Sequence, residues 1–158
     1  MELKIQLTIN GIRKTLLIKP HELLIDVLRK EGYVGVKRGC NEGTCGACTI
    51  ILDGKAVKSC ILLAAQVNNS TIITIEGIGT RKKPHPIQQA FVEEGVIQCG
   101  FCIPGMILSA KALLDENQSP TKKEVKLALD GNLCRCTGYS GQIKAVLNAA
   151  EVLRGEHA

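Results

Sequence analysis

The residues with the most chemistry in this chain are its eight cysteines, and their spacing divides them into two groups of four with none left over. Cys40, Cys45 and Cys48 stand at C-x4-C-x2-C in the stretch Gly39-Cys40-Asn41-Glu42-Gly43-Thr44-Cys45-Gly46-Ala47-Cys48, and Cys60 follows at a distance. This is the spacing of a plant-type [2Fe-2S] site, in which thiolates grip a pair of irons and glycines let the loop amides approach the sulfurs. Zinc, a disulfide pair and free buried thiols are the rivals. Structural zinc usually takes short paired spacings on both sides, which three cysteines in one loop and a lone fourth do not supply. The second group, Cys99-x2-Cys102 with Cys134-x-Cys136, is less distinctive. Soft thiolates suit iron–sulfur there, and zinc would accept the C-x2-C half as well.

Other reactive residue types add little. His21, His85 and His157 lie outside both cysteine groups, so a site with two histidine ligands is not expected. Asn41 and Glu42 are expected to satisfy local backbone groups. Arg135, between two cysteines, either balances a charged cluster or forms a structural ion pair. No nucleophile with its base, phosphate-cradling loop or paired carboxylates stand at motif spacing, so no catalytic constellation can be named. Electron transfer is the one chemistry on display.

The formal charge of +5 counts every cysteine as neutral. Metal binding requires thiolates, and two oxidised clusters at about −2 each would bring the loaded protein to roughly +1. The lysines are scattered without interleaved aromatics, which argues against nucleic-acid binding. Met1 to Asn10 alternates apolar and polar residues, unlike a secretory leader, and no run approaches the ~18 apolar residues of a membrane span. A cytoplasmic protein whose thiols stay reduced is expected.

The elements that must position these cysteines are legible on either side of a break. Leu3, Ile5, Leu7 and Ile9 alternate with polar residues as in a half-buried strand, and Asn10-Gly11 predicts a type I′ turn into a partner at Arg13 to Ile18. An amphipathic helix is expected from Glu22 to Lys30, then the cysteine loop, a hairpin over 49–59 around Asp53-Gly54, and a strand from Thr71 to Ile75. Five strands and one helix suggest a mixed sheet crossed by that helix. From Glu76 to Pro86 glycines, prolines and a basic run read as a linker, and the domains are expected at 1–77 and 78–158. The second half is helical: Pro86 to Glu94, Gly105 to Glu116, a helix capped by Thr121 and Glu124 running to Asp130, and Gly141 to Leu153. Cys99 and Cys102 precede one helix and Cys134 and Cys136 another, so two converging helix N-termini would favour an anionic cluster.

Three long motifs, Val36 to Thr49 (VKRGCNEGTCGACT), Gln98 to Met106 (QCGFCIPGM) and Gly131 to Tyr139 (GNLCRCTGY), resemble the iron–sulfur subunits of molybdenum hydroxylases, the xanthine dehydrogenase family. The resemblance covers nearly the whole chain. It implies an α+β architecture, a β-grasp ferredoxin-like domain followed by an all-α four-helix [2Fe-2S]-binding domain. It implies eight iron ligands, Cys40, Cys45, Cys48, Cys60, Cys99, Cys102, Cys134 and Cys136, and contacts from Gln98 and Cys136 to a pterin. In such enzymes one partner subunit holds a molybdenum-pterin centre and another FAD, and the helical cluster lies on the molybdenum side. The chain would then be an oxidoreductase subunit without a complete active site, serving a purine or related N-heterocycle. A free-standing ferredoxin or redox sensor is the alternative. Ile103 departs from the threonine common in the family.

Overall fold

The computed structural model describes residues 1–155, so His157 lies outside the described residues. Strands β1 (Leu3–Ile9) and β2 (Ile12–Ile18) form the expected hairpin, with Leu3 opposite Ile18 and Ile9 opposite Ile12. Asn10 (φ 51°) and Gly11 (φ 79°) supply the positive φ angles that a type I′ turn demands. Helix α1 (Leu24–Lys30) follows, then β3 (Thr49–Leu52), β4 (Lys55–Lys58) and β5 (Thr71–Ile73). The sheet order is β2-β1-β5-β3-β4, with β1 and β5 parallel and the other neighbours antiparallel. This is the mixed β-grasp sheet expected, with Leu24, Ile25, Val27 and Leu28 of α1 buried in the same core as Ile5, Leu7, Ile9, Ile50 and Ile72.

Helix α1 starts two residues later than its apolar spacing suggests. Leu23 is held extended by a bridge to Leu63, with Leu24 N–H donating to Leu62 (2.8 Å) and Ala64 N–H to Glu22 (2.9 Å). A long-range pairing thus takes residues that local periodicity assigns to the helix.

The second half is helical: α2 (Pro86–Glu93), α3 (Ile103–Glu116), α4 (Lys122–Leu129) and α5 (Ser140–Leu153). Its core gathers Ile87, Phe91, Met106, Leu114, Val125 and Val146. Ile75 and Ile78, in the connecting stretch, pack against that core. His85 caps α2, its Nδ1 accepting from Ile87 N–H (3.2 Å). At α4, Thr121 and Glu124 bond each other's amides as a capping box requires (3.3 and 2.6 Å). Helix α3 begins at Ile103, two residues before the expected Gly105, because Pro104 in its first turn donates no N–H that the helix would miss. No helix among the described residues is long and apolar enough to cross a membrane.

Candidate metal centres

The first site is a loop fastened at both ends. Arg29 of α1 donates to the carbonyls of Val34 (3.0 Å) and Val36 (2.8 Å), and Lys37 N–H donates to Ala47 (3.1 Å). Within it, the amides of Glu42 and Cys45 point at Cys40 Sγ (3.3 and 3.4 Å). The Thr44 hydroxyl, and after it these two amides, pull the Cys40 thiol down to about 5. Donors are therefore already aimed at a sulfur in its anionic form. A side chain at Gly39 would place its Cβ 2.7 Å from Cys45 Sγ, so only glycine fits beneath that sulfur. Cys48 and Cys60 are buried, and burial, then contact with Cys48, pushes the Cys60 thiol up. Asn41, at φ 62°, accepts from the Arg38 guanidinium (2.8 Å), a side-chain partner in place of the backbone group expected.

The second site joins two helix starts. Cys102 is the N-cap of α3, and Cys134 and Cys136 lie in the turn before α5. Cys136 Sγ lies 3.6 Å from Cys99 Sγ. Burial, then contact with Cys134, pushes the Cys102 thiol up to about 12. Burial also works upward on Cys134, but the Thr137 hydroxyl and the Cys136 amide outweigh it and its pKa falls. Cys134 N–H donates to the Tyr139 hydroxyl (2.7 Å). That bond accompanies a left-handed backbone at Tyr139 (φ 72°), an uncommon conformation for so bulky a residue. Gln98, Cys99, Arg135 and Cys136 are exposed on the surface, with Ile97, Phe101 and Leu133 as exposed apolar neighbours in sequence. Ile103 is buried in the helical core, so apolar packing occupies that position.

The two sites meet through residues that the sequence reading passed over. Leu133 N–H donates to the Cys45 carbonyl (2.8 Å). Buried Asn132 donates from Nδ2 to the Gly46 carbonyl (3.1 Å) and accepts at Oδ1 from Ser109 (2.7 Å). A Cβ on Gly46 would collide with the Gly131 carbonyl, and one on Gly105 with the Gly46 carbonyl. Half-buried Lys58 bonds Thr49 Oγ1 (3.2 Å), and its ammonium feels the charge of all four cysteines of the first group. Burial lowers its pKa while those sulfurs raise it. The signals in the sequence were position alone: Asn132 stands inside the quoted motif two residues before Cys134, and Lys58 precedes Cys60 by two.

All eight thiols are unpaired by disulfides, and the contacts between their sulfurs run in pairs, Cys40 with Cys45, Cys48 with Cys60, Cys99 with Cys136 and Cys102 with Cys134. Among the described residues no three Cys, His, Asp or Glu side chains converge as they would around a single ion. Paired thiols, N–H donors aimed at sulfur and a glycine cradle fit a two-iron core, in which each iron takes two thiolates.

Comparison with known proteins finds iron–sulfur families along most of the chain. Residues 7–71 match the family described as "2Fe-2S iron-sulfur cluster binding domain", and residues 74–147 match the "[2Fe-2S] binding domain" family. The chain is 50% identical over 151 residues to the nicotinate dehydrogenase small FeS subunit of Eubacterium barkeri, covering 95% of this chain and 96% of that one. It is 43% identical to the xanthine dehydrogenase iron-sulfur-binding subunit of Escherichia coli O157:H7, covering 91% and 92%. The aldehyde oxidoreductase structure from Desulfovibrio gigas superposes with a TM-score of 0.95 at 45% identity over 98% of this chain, which spans 18% of that larger one.

Proposed function

The chain belongs to the small iron–sulfur subunits of the molybdenum hydroxylase family, and on that premise we propose that it relays electrons between cofactors held by its partners. Cys40, Cys45, Cys48 and Cys60 hold one [2Fe-2S] cluster in a domain of residues 1–77, and Cys99, Cys102, Cys134 and Cys136 hold the other in residues 78–158. When bound, the two clusters supply one-electron exchange, which splits a two-electron oxidation into single steps. The exposed rim of Gln98, Cys99 and Cys136 faces the subunit with the molybdenum-pterin centre, Gln98 and Cys136 touching the pterin. The loop of Cys40 to Cys48 faces the FAD subunit. A purine or another N-heterocycle is oxidised in the large subunit; the nicotinate dehydrogenase relative supports a heterocycle, and the aldehyde oxidoreductase supplies the competing class. The complex is cytoplasmic, a reading supported by eight cysteines without a disulfide.

The observation that carries this reading is the hydrogen bond from Leu133 N–H to the Cys45 carbonyl (2.8 Å). Cys45 is a ligand on one side, and Leu133 is covalently joined to the ligand Cys134 on the other. The route between sites is therefore bonded throughout, with one hydrogen bond as its only non-covalent step. Iron and acid-labile sulfide analysis of the native complex should return two iron pairs per chain, and the dithionite-reduced complex two distinct EPR signals. One iron pair per chain, or zinc without labile sulfide, overturns the reading.

A further inference from the structure

Gln142, in the first turn of α5, is fully buried, yet its amide oxygen has no hydrogen-bond partner. Its Nε2 donates to Thr137 Oγ1, and Thr137 Oγ1 lies 3.1 Å from Cys134 Sγ. A leucine or methionine would fill the same space without burying an unpaired carbonyl. The amide is thus costly as packing, and its nitrogen is the atom with a partner.

The order of donors follows from the sulfur. A thiolate bound to iron accepts hydrogen bonds and cannot give one, so the single proton of the Thr137 hydroxyl must point at Cys134. Thr137 Oγ1 is then left with lone pairs only, and the group facing it from Gln142 must be a donor. The chain of two bonds runs one way, from amide to hydroxyl to sulfur, and each bond polarises the next. Cys134 is held at its other end as well, since its N–H donates to Tyr139.

We propose that Gln142 is a positioning residue: it orients the Thr137 hydroxyl onto Cys134 Sγ and thereby raises the reduction potential of the cluster in the helical domain. The proposal rests on the reading above, in which Cys134 binds that cluster. One electron from a reductant such as dithionite takes a cluster with its four thiolates from a net charge of about −2 to about −3, and a donor fixed on one sulfur stabilises the more negative state.

The test is a dithionite titration of the intact complex, followed by EPR so that each cluster is read separately, with iron and labile sulfide measured on every sample. Thr137→Val should lower the reduced-to-oxidised ratio of the helical-domain cluster about tenfold at fixed ambient potential, a shift of about 59 mV for one electron. Gln142→Met should lower it about threefold, which is about 28 mV by the same constant. Thr137→Ser, which keeps the hydroxyl, should stay at the parent value. The double variant T137V/Q142M should match T137V alone, because Gln142 acts only through Thr137. The other cluster should not move in any of them. An unchanged potential in Q142M, additive shifts in the double variant, or equal shifts in both clusters would overturn the proposal. Thr137→Val is nearly isosteric, so an unchanged potential there overturns it even where Q142M does not accumulate. Parent protein with a single iron pair would instead defeat the underlying two-cluster reading.

Discussion

The two cysteine sites reach a similar donor set with different shares of backbone and side chain. The first is a loop in which two backbone amides, of Glu42 and Cys45, join the Thr44 hydroxyl at Cys40, glycines make room, and two of the four cysteines are buried. The second is set at helix starts, is served by side chains (Thr137, Gln142 and Tyr139), and leaves Cys99 and Cys136 at the surface. Backbone donors are fixed by the fold of the loop as a whole, whereas side-chain donors can be removed one at a time. The difference teaches where each site is adjustable and which one offers its sulfurs to a neighbour.

The strongest way to break the comparison is to delete the exposed site. Cys99→Ser should abolish the cluster of the helical domain and with it substrate-driven flavin reduction in the complex. The EPR signal of the N-terminal cluster should survive, because Cys48 and Cys60 lie in the other core and the amides aimed at Cys40 come from its own loop. Undiminished flavin reduction would contradict the wiring. Next in size is the junction. Asn132→Ala takes one of three donors from the Gly46 carbonyl, which keeps the Thr49 amide and hydroxyl, and strands the Ser109 hydroxyl in a buried interface, and should cost about 1–3 kcal/mol in denaturant unfolding. Unfolding within ~0.5 kcal/mol of the parent would show that the two domains do not depend on this contact.

Lys58→Met sharpens the contrast in electrostatics. Removing a half-buried cation beside the first group should lower the potential of the N-terminal cluster by on the order of 1 kcal/mol, about 43 mV, and leave the helical one nearly unmoved. Equal shifts in both would mean that the charge acts on the molecule as a whole. The smallest effect concerns α4, which carries no cysteine. The Thr121 hydroxyl, and after it the Thr121 amide, holds the Glu124 carboxyl below its ordinary 4.5. A depressed carboxyl stabilises the fold above its unfolded value and loses that contribution as pH falls through the folded one. Thr121→Ala should therefore unfold more easily than the parent above pH 4.5, and the gap should narrow as the solution is acidified below it, leaving the part that comes from the Glu124 N–H bond to the Thr121 hydroxyl. A gap of unchanged size in acid would rule out a charged contribution to it.

Much of this arrangement was legible in the residues, for reasons that are local. Alternation along Leu3 to Ile9, the two turns Asn10-Gly11 and Asp53-Gly54 with positive φ throughout, and the Thr121–Glu124 cap are written in neighbouring positions. What escaped was non-local. The late start of α1 depends on Leu63, some forty residues away, and the place of Asn132 depends on Gly46 and Ser109. Thr137 stood inside a recognised motif, yet its partner Gln142 looked like an ordinary helical glutamine, because its burial is decided by how α5 packs.

The contact from Leu133 to Cys45 uses main-chain atoms at both ends. Its survival is consequently indifferent to which side chain stands at position 133, and nineteen of the twenty amino acids preserve it. Proline alone lacks the hydrogen to give, so Leu133→Pro is the one replacement there that severs the bridge outright.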